Sequence, residues 1–127
     1  MNKKLLFLLA LLFGGNVLYS QWQVQNYYPS YSNSNFISSS NTGWVCGTGV
    51  VRKTTNAGTT WVNQYCITTY SLNDIFFVNA NTGWAVGGFG EIYYNANGGA
   101  KWSAQTSGVP SGLYSVHFAN STNGIAS

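Results

Sequence analysis

Charged side chains are scarce in this sequence of 127 residues. Asp, Glu, Lys and Arg make up 6% of it, with two acidic and five basic residues and one histidine, against about 25% in an average globular domain. Two carboxylates are too few for a carboxylate-rich metal site, and so few basic groups cannot neutralise a nucleic-acid backbone. The composition therefore predicts no bound metal, no cofactor and no nucleic-acid partner.

Proline and cysteine are also rare, with two of each, whereas aromatic residues reach 17%. Small uncharged polar residues are abundant, with 15 Asn, 14 Ser and 11 Thr. Disordered chains combine low hydrophobicity with high net charge, and this chain has neither. The composition favours an all-β fold of short strands joined by tight turns.

The longest apolar run lies at the N-terminus. Lys3 and Lys4 precede nine apolar residues, Leu5 to Phe13, and Ser20 is a small residue at a plausible cleavage site. This layout is typical of a secretory signal peptide, and the run is shorter than the roughly 20 residues that span a bilayer. We expect residues 1–20 to be removed and the mature chain to be secreted or held at the cell surface, with no stable membrane span. Its formal net charge is then +1, from three basic and two acidic residues.

Three sequence markers recur in the rest of the chain. Asn-Thr-Gly-Trp occurs at 41–44 and 81–84 and returns in altered form at 122–125, so that its glycines are spaced by 40 and 41 residues. A Trp-x-x-Gln motif begins at Trp22, Trp61 and Trp102, and an apolar stretch precedes each Asn-Thr-Gly or Thr-Asn-Gly. Markers that agree on one spacing indicate a structural repeat.

A repeat of about 40 residues with four short strands is typical of one β-propeller blade. In the second unit the pattern predicts strands at about 73–78, 83–88, 90–94 and 101–105. A β-sandwich is the rival fold, but it predicts no such internal repeat. The predicted fold class is therefore all-β, built from propeller blades of four antiparallel strands.

A turn motif lies between the third and fourth predicted strands of each unit. Residues 54–61 read Thr-Thr-Asn-Ala-Gly-Thr-Thr-Trp and resemble the Asp-box of BNR repeats, with Asn56 in place of Asp. Residues 95–102 keep only the glycine and tryptophan of that pattern and carry Asn97 at the Asp position. We call these segments the Asp-box-like turns and expect a structural role, because Asx side chains commonly bond the amides of their own turn. The predicted structural repeat positions are Gly43, Trp44, Asn56, Gly58, Trp61, Gly83, Trp84, Asn97, Gly99 and Trp102.

The second unit, from Leu72 to Trp102, resembles the photosystem II stability/assembly factor-like propellers, a family of BNR-type repeat proteins that includes secreted bacterial members. The resemblance extends over about 22–127 and implies a repeat fold more clearly than an activity. Photosynthetic members bind a reaction-centre protein through an arginine-rich surface. This chain has one arginine, Arg52, so the resemblance does not transfer that role.

The repeat predicts an incomplete ring, because propellers close with about four to eight blades. A fourth-strand piece at 21–31 precedes two full units, 32–71 and 72–112, and the start of a third, 113–127. The simplest interpretation is about two and a half blades of a longer product, whose remaining blades complete the ring. A ring assembled from several short chains is the alternative.

Two functions are compatible with this pattern. The first is a non-catalytic module that recognises a protein or a carbohydrate. The second is part of an extracellular, sialidase-like glycoside hydrolase whose catalytic residues lie outside this chain. Asp74 and Glu91 are the only carboxylates available for acid–base catalysis, and one arginine cannot form the cluster that holds a sialic acid carboxylate. The sequence therefore predicts no catalytic residues in these blades.

Several other side chains are candidates for a site. Tyr27, Tyr28, Tyr31, Tyr93 and Tyr94 break the repeat pattern and are predicted to form a binding face. Cys46 and Cys66 can form a disulfide in an exported protein or remain two independent thiols. His117 has no nearby cysteine or carboxylate in the sequence, so we expect a strand residue and no zinc site.

Overall fold

The computed structural model describes residues 32–64, 66 and 68–127. The predicted signal peptide at 1–20, the fourth-strand piece at 21–31 and the three tyrosines in that piece lie outside the described residues. In the ranges that are described, no helix is long and apolar enough to cross a membrane.

Ten strands and one 3₁₀ turn make up the described fold. The first blade consists of β1 (Ser32–Ile37), β2 (Gly43–Gly47), β3 (Val50–Thr54) and β4 (Val62–Gln64). The second consists of β5 (Leu72–Phe77), β6 (Gly83–Gly87), β7 (Ile92–Asn95) and β8 (Ser103–Gln105), with the 3₁₀ turn at Gly88–Gly90 between β6 and β7. A third blade begins with β9 (Val116–Phe118) and β10 (Gly124–Ala126).

Each blade is an antiparallel meander. The sheet orders are β1-β2-β3-β4 and β5-β6-β7-β8, and β9 pairs with β10. This confirms the predicted all-β fold of four-stranded blades, with two full blades and the first strand pair of another. The predicted starts at 90 and 101 are each two residues too early for β7 and β8. The 3₁₀ turn occupies residues 88–90, and β7 therefore begins at Ile92.

The first strands of successive blades lie side by side, and each full blade holds the next through an asparagine. Asn33 and Asn73 occupy an irregularity in the register at the start of β1 and β5, and such bulges redirect a side chain. Nδ2 of Asn33 donates to the carbonyl of Leu72 at 2.8 Å. Nδ2 of Asn73 donates to the carbonyl of Leu113 at the same distance.

Two apolar clusters fill the spaces around the second blade. The first joins the first and second blades and the second joins the second and third. The first contains Trp44, Cys46, Val51, Leu72, Ile75, Phe77, Ala85, Tyr93 and Trp102. The second contains Trp84, Val86, Leu113 and Val116. All five residues of β6 are buried, and all of them are small or apolar, as expected for a strand that is covered on both faces.

The antiparallel topology gives the blades two different ends. We call one the turn end, since it carries the turns between the first and second strands and the two Asp-box-like turns. The other, the connection end, carries the turns between second and third strands and the segments that join one blade to the next. The candidate site lies at the connection end.

Candidate binding cleft at the connection end

The first Asp-box-like turn is held by two of its own side chains. Oγ1 of Thr54 accepts hydrogen bonds from the N–H of Gly58 at 2.9 Å and from that of Asn56 at 3.3 Å. Oδ1 of Asn56 accepts from the N–H of Thr60 at 2.9 Å, and its Nδ2 donates to Oγ1 of Thr60 at 2.9 Å. Asn56 therefore performs the acceptor role that we expected of the aspartate.

The second Asp-box-like turn repeats this network with different residues. Oδ1 of Asn95 accepts from the N–H of Gly99 at 2.7 Å and from that of Asn97 at 3.1 Å. Oδ1 of Asn97 accepts from the N–H of Lys101 at 3.0 Å. The backbone is left-handed at Gly98 and Gly99, as it is at the corresponding residues of the first turn. The side chains of Thr54, Asn56, Asn95 and Asn97 are therefore bonded within their turns, which favours a structural role over a ligand site.

The tryptophans at the equivalent positions of β2 and β6 pack between blades. Trp44 stacks on Phe77 of the second blade, with ring centroids 4.0 Å apart, and Trp84 stacks on Phe118 of the third at 3.6 Å. Nε1 of Trp44 also donates to the carbonyl of Gly98 at 3.3 Å. These tryptophans occupy blade-to-blade contacts, which is the role that their repetition in the sequence predicts.

The tryptophans of the two Asp-box-like turns lie differently. Trp102 is buried in the first apolar cluster, edge-on to Phe77 with centroids 5.7 Å apart. Trp61, its counterpart in the first blade, is half-buried and lines a surface depression.

Asp74 joins the first strands of three blades. Its Oδ1 accepts from Oγ of Ser34 in β1 at 2.6 Å and from the N–H of Ile75 at 2.9 Å. Its Oδ2 accepts from the N–H of Val116 at 2.8 Å and from Oγ of Ser115 at 3.3 Å. Both oxygens are thus used in holding neighbouring blades together.

Glu91 lies at the connection end, just before β7. Its Oε2 accepts from Oγ1 of Thr68 at 2.6 Å, and its Oε1 accepts from the phenol of Tyr93 at 3.2 Å. Burial raises the pKa of the Tyr93 phenol, and the charge of Glu91 raises it further. Glu91 and Asp74 are thus held by different sets of residues.

Tyr93 and Tyr94, the two described residues of the predicted tyrosine face, do not form an exposed face. Tyr93 is 6% exposed and belongs to the first apolar cluster. Tyr94 is half-buried, with its ring 5.3 Å from that of Trp84. Both side chains alternate along β7, a strand that is covered by neighbouring blades, so their break from the repeat reflects packing.

The two cysteines are free thiols in the structure. The thiol of Cys46 is buried and faces the carbonyl of Leu72, with the sulfur 3.8 Å from the oxygen. Burial raises the pKa of Cys46 to about 12, and burial with the nearby charge of Glu91 raises that of Cys66 to about 12. Such thiols are protonated at neutral pH and are poor nucleophiles.

His117 lies in β9, and its ring centroid is 4.4 Å from that of Phe76. Among the residues that the structure describes, no group of three or more His, Cys, Asp or Glu side chains could hold a metal ion. The histidine therefore takes part in packing between the second and third blades.

A cleft of about 550 Å³ opens at the connection end of the second blade. One wall is residues 104–110, the end of β8 and the segment that follows it, and the other is formed by residues 89–93. Gly90 permits their close approach, because a Cβ at this position would collide with the carbonyl of Val109. Glu91 is the one charged residue among those that line the cleft.

Phe89 projects at the rim of this cleft. Its backbone is left-handed, with φ 57° and ψ 30°, a conformation that is unfavourable for a bulky residue. Its side chain is nevertheless 69% exposed, with the ring centroid 4.4 Å from that of Tyr70, which is 42% exposed. One further exposed apolar side chain, Val109, also lines the cleft. We call Tyr70, Phe89 and Val109 the exposed apolar patch.

Sequence reasoning missed this patch, although a trace of it is present. Cys46 and Thr54 of the first unit are separated by eight positions, whereas their equivalents Val86 and Asn95 are separated by nine. The extra residue falls in Gly-Phe-Gly, residues 88–90. A one-residue lengthening that places an aromatic between two glycines marks the loop that carries Phe89.

The sequence model of the family described as photosynthesis system II assembly factor YCF48 matches residues 62–126, half of the chain. The chain belongs to this BNR-repeat family. The match runs from β4 to β10 and therefore includes the cleft, the exposed apolar patch and the second Asp-box-like turn. No curated protein sequence matches the chain significantly.

Two solved structures share the fold. The structure of YCF48 bound to D1 peptide has a TM-score of 0.62 and 18% identity, over 77% of this chain and 41% of that one. The crystal structure of an ancestral GH74 enzyme has a TM-score of 0.68 and 20% identity, over 83% of this chain and 17% of that one. The chain thus spans well under two thirds of either relative, and the similarity at this identity concerns the fold alone.

Proposed function

We propose that the protein is an exported, non-catalytic recognition module that binds its partner at the connection-end cleft and the exposed apolar patch beside it. The partner that this surface suits is an extended segment of another protein, with a glycan as the other ligand class to be tested. The YCF48 structure with D1 peptide supports a protein partner, because it comes from the same family.

The observation that carries the proposal is the conformation of Phe89. A phenylalanine with φ of 57° that is also 69% exposed buries little apolar surface in return for an unfavourable backbone. Backbone strain of this kind costs on the order of 1–3 kcal/mol and clusters at ligand-binding positions. Glycine would fit the loop without strain, so a phenylalanine that is exposed here and contacts only the ring of Tyr70 among the aromatic side chains described supports a ligand-binding role.

The charged residues around the cleft limit the charge that a bound ligand can carry. Lys and Arg are not among the residues that line it, and its one charged residue is Glu91. An anionic segment would therefore meet no counter-charge. A neutral or positively charged segment could stack on Phe89 and Tyr70, since cations are attracted to aromatic faces, and could approach the carboxylate of Glu91.

We infer that these blades are not catalytic, because the carboxylates of Asp74 and Glu91 accept hydrogen bonds from other residues of the fold. Asp74 accepts four hydrogen bonds, three of them from neighbouring blades, and Glu91 accepts two from neighbouring side chains. A glycosidase needs one carboxyl to protonate the leaving group and a second that faces the substrate. The fold shared with the GH74 enzyme adds no argument for hydrolysis.

Binding is tested with Phe89→Gly. Peptides selected from a random phage-displayed library, and an array of neutral glycans, are applied to purified protein, and affinities are measured by fluorescence anisotropy. Phe89→Gly should weaken binding about tenfold or more. It should also leave the free energy of unfolding unchanged or raise it by up to about 1 kcal/mol, because glycine relieves the positive φ. Val62→Gly, at an exposed position on the outer strand β4, is the matched control for loss of an apolar side chain.

Two results would refute the binding site. One is equal affinity of the wild type and Phe89→Gly for every ligand recovered. The other is selection of acidic peptides, which the charge of the cleft does not suit. If only glycans bind, and Phe89→Gly weakens their binding, the site is supported but its ligand is a glycan and not a protein segment.

Export is a separate part of the proposal and rests on the sequence of residues 1–20. Fused to alkaline phosphatase, which is active only outside the reducing cytoplasm, this segment should give active enzyme. Replacement of Leu8 and Leu9 by charged residues should abolish that activity, because it interrupts the apolar run. Activity that survives the replacement would contradict export by this segment.

A further inference from the structure

The second blade, which carries the proposed binding cleft, has described strands on both of its sides. Phe89 and Glu91 line the cleft, and the ring of Phe89 lies beside that of Tyr70, with the centroids 4.4 Å apart. Tyr70 lies just before β5, in the segment that joins the first blade to the second. The cleft and this aromatic pair are therefore built from residues 68–110, away from both ends of the described array.

A single hydroxyl joins the carboxylate of Glu91 to the segment that carries Tyr70. Oγ1 of Thr68 donates to Oε2 of Glu91 at 2.6 Å and accepts from the N–H of Tyr70 at 3.1 Å. Glu91 is also two residues from Phe89 in the chain, and its own N–H donates to the carbonyl of Gly88 at 3.2 Å. The carboxylate is thus held close to the two residues whose rings are exposed.

The carboxylate of Glu91 retains capacity for further hydrogen bonds. Its two oxygens provide about four acceptor positions, and it accepts from the neutral hydroxyls of Thr68 and Tyr93. Neither hydroxyl carries a charge that would balance the carboxylate. Because Glu91 is half-buried, its attraction for a cation is stronger than that of a fully solvated carboxylate.

The lysines of the described chain lie at the turn end. Nζ of Lys53 donates to the carbonyl of Gly98 in the second Asp-box-like turn at 2.8 Å, and Lys101 belongs to the same turn. Nε of Arg52 bonds a side chain of the outer strand β4 at 2.9 Å. The lysines thus place positive charge at the turn end, whereas the cleft is lined by the carboxylate of Glu91 and by no basic residue.

Given the binding site proposed above, on which this assignment rests, we infer that the partner segment inserts an arginine side chain here. Its guanidinium stacks on the ring of Phe89 and donates to the carboxylate of Glu91. Arginine suits this pair of groups better than lysine, because a planar guanidinium stacks on aromatic rings and presents several N–H donors in a fixed geometry. The selected ligand is therefore a protein segment with an exposed arginine.

Replacement of arginine by citrulline tests the charge of the ligand. Citrulline has nearly the shape of arginine but is neutral. The probe is the tightest-binding peptide recovered from the random phage-displayed library on the full protein, together with a copy in which citrulline replaces its arginine. Recovered peptides should be enriched in arginine relative to the unselected library. The citrulline copy should bind at least about tenfold more weakly by fluorescence anisotropy, because a hydrogen bond between charged groups is lost.

Glu91→Gln identifies the group that receives the guanidinium. The substitution removes the charge and keeps the size of the side chain. It should weaken the arginine peptide about tenfold and change the affinity for the citrulline peptide by less than about twofold. This difference is the coupling between the two charges, which a purely structural effect of the substitution would not produce. Lys101→Gln, which removes a charge at the turn end, is the control and should bind both peptides like the wild type.

Failure of this assignment is distinguishable from failure of the binding site. Peptides that Phe89→Gly weakens, but that lack arginine or bind equally well with citrulline, would overturn the arginine assignment and leave the site in place. Equal weakening of both peptides by Glu91→Gln would also overturn it. Recovery of no peptide, or only of peptides that bind Phe89→Gly as tightly as the wild type, would refute the site and the assignment together.

Discussion

The indole of Trp84 lies nearly parallel to the ring of Phe118, with the centroids 3.6 Å apart and an interplanar angle of 11°. The pair joins the second strand of one blade to the first strand of the next, as Trp44 and Phe77 do at the preceding junction. Each phenylalanine also covers a glycine of its own hairpin. A Cβ on Gly83 would lie 2.6 Å from the Phe77 ring, and one on Gly124 would lie 2.5 Å from the Phe118 ring. The glycine of the Asn-Thr-Gly motif is thus required by the ring that lies on it.

The junction between the first and second blades should depend strongly on Phe77. Phe77 is 2% exposed and contacts Trp44 and Trp102, so its removal leaves a cavity in the larger core. We expect Phe77→Ala to lower the free energy of unfolding by about 3–5 kcal/mol, measured by urea denaturation followed by tryptophan fluorescence. Val62→Ala, at an exposed position, should change it by less than about 0.5 kcal/mol. A loss of under about 1 kcal/mol for Phe77→Ala would show that the junction does not support the fold.

The second Asp-box-like turn should not accept a side chain at Gly99. Gly99 has φ of 96° and Gly108 has φ of 78°, so alanine is strained at both positions. A Cβ at Gly99 would also collide with Trp44, whereas at Gly108 it would meet no atom within 4 Å. Gly108→Ala should therefore cost about 1–2 kcal/mol in stability, the cost of the left-handed backbone alone. Gly99→Ala should cost more, and the near-ultraviolet circular dichroism of Trp44 should change only in that variant. Equal costs would contradict the close contact.

Asp74 and Glu91 should respond differently to loss of charge. Oδ2 of Asp74 accepts from the backbone N–H of Val116, which cannot change its direction. An amide nitrogen placed there by Asp74→Asn would oppose that donor, so we expect a loss of about 1–3 kcal/mol in unfolding free energy.

Glu91→Gln is the matched control for the change at Asp74. The donors to Glu91 are the hydroxyls of Thr68 and Tyr93, and hydroxyls can rotate to accept instead. We expect this substitution to cost less than about 1 kcal/mol in the same urea experiment. If Glu91→Gln lowered the unfolding free energy more than Asp74→Asn does, Asp74 would not be the carboxylate that holds the blades together.

The thiols should react slowly in the folded protein. Because the pKa of Cys46 and of Cys66 rises from 9.0 to about 12, the thiolate fraction at pH 8 should be about a thousandfold lower than in the unfolded chain. Alkylation by iodoacetamide, followed by mass spectrometry, should therefore be slow in buffer and fast in 6 M guanidinium chloride. Rapid labelling of Cys66 under native conditions, or no labelling of either residue because they are joined, would contradict this prediction.

The same pKa shifts affect stability at alkaline pH. A group whose pKa is raised on folding stabilises the protein below its unfolded pKa, and this contribution is lost as the pH rises toward the folded value. The cysteines should thus favour the folded state fully below pH 9 and progressively less between pH 9 and about 12. The double variant Cys46→Ala and Cys66→Ala should lose less stability over that pH range than the wild type.

The repeat made most of the fold predictable. The glycines of the Asn-Thr-Gly motifs place the hairpins, and the spacing of about 40 residues gives four strands a unit, as observed. The predicted third and fourth strands each began two residues too early, and before the third strand residues 88–90 form a 3₁₀ turn in a loop that is one residue longer than that of the first unit. The repeated tryptophans could be assigned to packing, because the contact that occurs in every blade is the one with the neighbouring blade.

The candidate site was much less predictable. Tyr93 and Tyr94 break the repeat but are covered by neighbouring blades, whereas Phe89 breaks it and is exposed. A sequence shows that a residue is unusual but not which face of a covered strand it occupies. The left-handed backbone of Phe89 is likewise invisible in the sequence, because a phenylalanine between two glycines is compatible with many turns.

The bond from Asn33 to Leu72 and its copy from Asn73 to Leu113 have a consequence for how such a protein can change its size. Each unit contains the asparagine that donates to the unit after it and the carbonyl that accepts from the unit before it. In the same way, its tryptophan stacks on the unit after it, and its phenylalanine receives the tryptophan of the unit before it. Duplication or deletion of a whole unit in a gene would therefore leave the remaining junctions with both of their halves. Growth by whole blades needs no second mutation to repair the interface, whereas the loss of half a unit would separate an asparagine from its carbonyl and a tryptophan from its ring.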